Sequence, residues 1–159
     1  MLYQIIINVP LWVWPLFIGL LAIGLLGTRS RQAPLILFWF LPLLGALAVN
    51  SMAAFGATVL AWAVFAVFYI AGGLFGFNYQ KKIVLERKGS RVSLKGEWLT
   101  LVTIMIIFWT NFARGLMTAI FPDIIANPAT IAIIAAIVGS VSGVFLGRSI
   151  QTLFGKVPE

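Results

Sequence analysis

The sequence predicts an all-α membrane protein, a bundle of five transmembrane helices with its N-terminus outside and its C-terminus in the cytoplasm. Five apolar stretches, residues 9–27, 34–49, 53–77, 97–121 and 128–147, are separated only by short connections. Of 159 residues, 62% are hydrophobic and 9% charged, with a mean hydropathy of +1.07. A water-soluble globule of that composition would lack the polar surface to cover its core, whereas a bilayer supplies an apolar exterior. All eleven Lys and Arg residues except Arg114 fall on one side of such a bundle, and that bias in short loops marks the cytoplasmic face.

The first stretch, residues 9–27, is expected to be a retained span and not a cleaved leader. The eight residues before it carry no positive charge and no small-residue cleavage site follows. Trp12 and Trp14 lie at its outer end as interfacial anchors, and Tyr79 and Trp98 flank the basic loop at the inner interface. Trp39, Trp62 and Trp109 lie deeper, as packing or lipid contacts.

Arg29 and Arg31 occupy the connection to the second span, residues 34–49, where Pro34 suits a first helical position and Pro42 should kink the helix. Asn50 and Ser51 form a tight outer turn into the third span, residues 53–77, which is long enough to tilt. Its closing Gly72, Gly73 and Gly76 weaken a regular helix near the cytoplasmic face. Residues 78–96 make the only sizeable polar element, a basic β-hairpin-like cytoplasmic loop. Two β-compatible runs, Ile83 to Arg87 and Arg91 to Lys95, flank Lys88, Gly89 and Ser90, with Gly at the tight position. This loop either fixes orientation by charge alone or docks on a partner or on anionic lipid, with Ile83 and Leu85 as apolar contacts. Arg148 and Lys156 follow the fifth span. The whole chain, residues 1–159, reads as a single transmembrane domain.

The fourth span, residues 97–121, carries a polar stripe. At 100° per residue, Thr100, Thr103, Thr110, Asn111, Arg114 and Thr118 fall within an arc of roughly 100°, so this face should meet other helices or a water-filled gap. A guanidinium cannot shed its proton, and a charge inside a span costs ~3 kcal/mol even on insertion scales. Arg114 therefore needs company. Asn111 lies one turn away, and Asn50 and Asp123 are the candidate partners from other segments at similar height. Two roles fit Arg114 equally: tying helices together near the interface, or serving a ligand or ion pathway with Thr103, Thr110, Asn111 and Thr118. The fifth span, residues 128–147, shows a different face. Ala132, Ala136, Gly139, Ser140, Gly143 and Gly147 share an arc, and Gly139, Gly143 and Gly147 make two successive GxxxG steps. Such a helix-packing groove receives another helix of the same chain or of a second copy. Ala57, Ala61, Gly72 and Gly76 give the third span a weaker version.

Absent residue types narrow the chemistry. The chain has no Cys and no His, which removes disulfides, thiol redox chemistry, the usual zinc and haem ligands and the usual general base. Of the four carboxylates, Glu86 and Glu97 are placed toward the inner interface and Asp123 toward the outer, and no two on one face are expected to share acid and base duties. No cofactor and no metal are expected. The net charge of +7 clusters at span ends, where anionic leaflet lipids attract it, which argues against nucleic acid as a partner.

The opening Val9-Pro10-Leu11-Trp12-Val13-Trp14, the Arg29 to Arg31 turn, the run Gly96-Glu97-Trp98-Leu99-Thr100-Leu101 and the following Phe108 to Gly115 resemble an uncharacterised family of small five-span bacterial inner-membrane proteins, a domain of unknown function. More distantly, size and span number are similar to membrane proteins grouped with cytochrome c biogenesis in Gram-positive bacteria, although this chain offers no Cys for thiol work. The resemblance implies the bacterial cytoplasmic membrane and supplies no catalytic residue. The expectation is a non-enzymatic accessory or scaffold subunit, with membrane lipids, further membrane subunits or copies of itself as partners. The alternative is a small oligomeric transporter or channel using the polar face around Arg114.

Overall fold

A computed structural model describes residues 10–54 and 58–155. The chain is mostly helical, with one small antiparallel sheet. The elements, in order, are α1 (Val13–Gly27), β1 (Arg31–Pro34), α2 (Ile36–Ala54), α3 (Val59–Gln80), β2 (Val84–Lys88), β3 (Arg91–Leu94), α4 (Leu99–Ile120), the single turn α5 (Pro122–Ile125) and α6 (Pro128–Phe154). Three of them, α3, α4 and α6, are long and apolar enough to cross a membrane. Helix α1 is apolar but has 15 residues, roughly 22 Å at 1.5 Å per residue.

Local chemistry sets the helix ends. The Thr58 hydroxyl accepts the Ala61 N–H at 3.3 Å and starts α3, and Asn127 accepts the Ala129 N–H at 2.9 Å ahead of Pro128 at the start of α6. At the end of α1, the Thr28 hydroxyl donates back to the Leu25 carbonyl at 2.8 Å. Several expected boundaries move as a result. Asn50 and Ser51 do not turn the chain: α2 continues through them to Ala54, and α3 begins only after the Thr58 cap. The connection runs through residues 55–57, which lie outside the described residues, as do Met1 to Val9, expected to form the outer tail and the start of span one, and Lys156. Pro34 is not a first helical residue. It ends β1, paired with Arg91, at a sheet edge where a missing N–H costs no ladder bond.

The loop over residues 78–96 forms a hairpin, and β1 extends it to three strands in the order β1-β3-β2. Lys88 pairs with Arg91 across Gly89 and Ser90, and Gly89 adopts φ +55°, the left-handed conformation that Gly tolerates at the first loop position. One sheet face rests on the bundle. Ala33, Phe38, Ile83, Val84, Val92 and Leu94 form its buried core, with Leu35, Leu41, Tyr79 and Leu153 packed around it.

Helix α6 is central: α3 runs along it, α2 packs on it, and α4 meets it more briefly while pairing with α1. The α3–α6 contact is built on glycine. A Cβ on Gly139 would stand 2.6 Å from the Phe65 carbonyl, one on Gly143 2.8 Å from the Gly73 nitrogen, and one on Gly147 2.7 Å from the Phe77 nitrogen. From the other side, a Cβ on Gly76 would meet the Val144 Cα at 2.8 Å, and one on Gly72 would reach the Ser140 carbonyl. Gly72, Gly73 and Gly76 therefore do not break α3, which continues to Gln80; they let the α6 backbone approach. Met52, Ala61, Phe65, Ile131 and Ala135 form a second core at the end away from the sheet.

Candidate functional site

Two polar features lie inside or along the bundle, at different distances from the sheet. The nearer one centres on Arg148, which belongs to α6 and not to a loop after it, because the helix runs on to Phe154. Its side chain is 5% exposed and that of its ion-pair partner Glu97 is 4% exposed. Each guanidinium nitrogen meets a buried acceptor: Nε donates to Gln80 Oε1 at 2.9 Å, Nη1 to Thr100 Oγ1 at 3.1 Å, and Nη2 to Glu97 Oε1. The Thr100 hydroxyl in turn donates to Glu97 Oε1 at 2.6 Å, and Gln80 Nε2 donates to Thr152 Oγ1 at 3.0 Å. The network joins the end of α3, the start of α4 and two turns of α6.

A charge taken out of water is tolerable only when paired and hydrogen-bonded, and this arrangement supplies both. Glycine again makes room. Gly27 of α1 lies against Thr100, the Gly27 carbonyl accepts the Glu97 N–H at 3.0 Å, and a Cβ on Gly96 would meet the Thr28 carbonyl carbon at 2.7 Å. Glu97 Oε2 is buried and accepts no hydrogen bond from the described residues. Nearby, Ser149 donates to the Phe38 carbonyl at 2.8 Å, fastening α2 to α6. Arg87 of β2 reaches the end of α6, donating to the Leu153 carbonyl at 3.0 Å and also to the carbonyls of Thr152 and Gly155. A cation there answers the negative end of the helix dipole and its last carbonyls.

The second feature is the polar face of α4, which the chain treats differently along its length. Thr100 and Thr103 are buried, and the Thr103 hydroxyl donates to the Leu99 carbonyl at 2.7 Å and the Thr100 carbonyl at 3.1 Å. Farther from the sheet, Thr110 and Arg114 are half-buried, whereas Asn111 and Thr118 are exposed. Asn111 Nδ2 donates to the Ile107 carbonyl and the Thr118 hydroxyl to the Arg114 carbonyl, both at 2.9 Å, within α4 itself. Asn50 and Asp123 are both exposed. On the α1 side, Phe17 packs against Phe108 at 5.1 Å between ring centroids and against Trp109 at 6.0 Å. Of the two loop residues expected to dock a partner, Ile83 is buried in the core under the sheet and Leu85 is exposed.

The Arg148 network was the feature sequence reasoning missed, since a basic residue just past an apolar run resembles a cytoplasmic flank. A signal was present in Arg148, Ser149, Gln151 and Thr152, polar residues that follow Gly147 with no Gly or Pro before Gly155, so that the helix can run on through them. Among the described residues, no three of Asp, Glu, His and Cys converge to hold a metal ion. No protein-family model, curated protein or solved structure matches the chain.

Proposed function

We propose that the chain is a non-enzymatic accessory or scaffold subunit that seats a helix of another membrane protein against the sheet-distal half of α4. One observation carries this reading: Asn111 and Thr118 are exposed on a helix long and apolar enough to cross a bilayer. Hydrogen-bonding side chains in hydrocarbon favour the company of another helix, and α4 is the least covered of the three long helices. The partner helix should carry hydrogen-bonding side chains that meet Asn111 and Thr118.

In this reading the bundle has five spans in the bacterial cytoplasmic membrane, N-terminus outside, with the sheet and C-terminus in the cytoplasm. The exposed Arg29, Arg31, Lys81, Lys82, Arg91 and Lys95 at the sheet end support that orientation. Arg148, now inside the bundle, is not needed for the bias.

A photo-crosslinking amino acid at position 111 or 118 in native membranes is expected to trap one defined membrane protein, while one at Val102 or Ile106, on the exposed apolar side of α4, is expected to trap lipid only. Equal crosslinking from both faces would reject the docking face, and an adduct of twice the chain mass would replace the foreign helix with a second copy. Anion flux through liposomes holding the purified chain, lost in Arg114→Ala, would instead favour the transporter alternative.

A further inference from the structure

Folding gathers a second group of charges that sequence order scatters. The Lys95 N–H donates to the Ile83 carbonyl at 2.9 Å, which sets Lys95 beside Lys82 and Lys81. On its other side, a Cβ on Gly96 would stand 2.9 Å from the Arg29 carbonyl carbon, so the chain around Arg29 runs directly against the residue after Lys95. Three segments, at the ends of α1 and α3 and the start of α4, thus present Arg29, Lys95, Lys82 and Lys81 as one rim of exposed cations. Among the described residues, the acids at this end of the bundle are engaged elsewhere, Glu97 inward with Arg148 and Glu86 with Lys88 at 3.0 Å.

The rim also has a definite height. The Lys81 ammonium sits 4.7 Å above the ring of Phe77, in the last turn of α3, and Trp98, 66% exposed, follows the rim immediately before α4. Trp and Lys at the end of a crossing helix mark the headgroup level of a bilayer. The outer face of the sheet is electrically different, since Lys88 there is offset by Glu86.

We infer that the rim formed by Arg29, Lys81, Lys82 and Lys95 is a binding site for the phosphate headgroups of anionic phospholipids in the sheet-side leaflet. Four cations from three segments suit a diester phosphate on a lipid anchored beside Trp98, and the leaflet supplies such groups at high local concentration. The inference rests on the membrane reading of the helices but not on the docked partner helix, so a failed crosslink at Asn111 leaves it standing.

The full chain, reconstituted in bilayers of equal parts phosphatidylcholine and phosphatidylglycerol and released into native mass spectrometry, is expected to retain phosphatidylglycerol preferentially. Lys82→Gln with Lys95→Gln, both at exposed positions, should reduce that preference by about tenfold or more. Lys88→Gln with Arg91→Gln, on the outer face of the sheet, should leave it unchanged. Equal retention of the two lipids by the unmodified chain would overturn the proposal, as would loss of the preference in both double variants alike. Displacement of the lipid by inorganic phosphate, beyond the effect of chloride at equal ionic strength, would assign the rim to a soluble phosphate compound and overturn the lipid source.

Discussion

Removing the guanidinium of Arg148 would leave Glu97 as a buried carboxylate without its cation, and Gln80 and Thr100 without a donor. Breaking one side of a buried pair typically costs about 3–5 kcal/mol, whereas replacing both partners with apolar side chains is often neutral. Arg148→Ala is therefore expected to lower the thermal unfolding midpoint in detergent far more than the double change Arg148→Met with Glu97→Leu. Equal losses from the single and double variants would show that the pair contributes through packing and not through charge. Arg114 differs in kind, being half-buried on a face whose neighbours Asn111 and Thr118 are exposed. Its need for company followed from sequence, because a permanent charge in a span is costly wherever the helix points.

Among elements, α3 and α6 illustrate how two helices with no side-chain hydrogen bond between their middles, among the described residues, can still be tightly held. Dispersion between backbones replaces side-chain interdigitation, and it depends on the absence of a Cβ at Gly139, Gly143 and Gly147. A methyl at Gly143 would collide with the backbone of Tyr69 and Gly73, which a rotamer change cannot relieve. Gly143→Ala should cost about 1–3 kcal/mol or more as overpacking. Gly115→Ala, where a Cβ would meet nothing within 4 Å, should be neutral or stabilising by up to about 1 kcal/mol. Thermal unfolding of the two variants in one detergent checks both, and a Gly143→Ala protein as stable as the Gly115→Ala protein would reject the close approach. The GxxxG spacing was legible in the sequence. Its counterpart was read both as a helix-weakening Gly cluster and, through Ala57, Ala61, Gly72 and Gly76, as a weaker packing face, since spacing along one helix does not reveal which backbone lies opposite.

At the scale of the whole molecule, the sheet joins parts of the bundle that are remote in sequence. It receives β1 from between α1 and α2, the hairpin from between α3 and α4, and sends Arg87 to the end of α6. Val92 is 0% exposed at the middle of its buried face. Val92→Asp would bury an unpaired charge, with a cost of several kcal/mol that disrupts the sheet. Trypsin is then expected to cut after Lys81, Lys82 or Arg91 much faster than in the unmodified chain, while the long helices stay protected by detergent. Unchanged cleavage would mean that the sheet is held by its turns and ladder bonds alone.

The membrane class, the long apolar helices, the Gly89 hairpin and the polar and small-residue faces were all determined by the sequence, because each rests on composition or on a repeat within one segment. Tertiary structure decided the rest. It recruited Arg31 to Pro34 as a third strand, drew Arg148 inward to Glu97 and Gln80, covered Thr100 and Thr103 while leaving Asn111 and Thr118 uncovered, and aligned Arg29 with Lys95, Lys82 and Lys81. Each of these depends on which segments meet although they are remote in sequence, and the free energy of such meetings comes from packing and charge pairing between residues whose proximity no local pattern encodes.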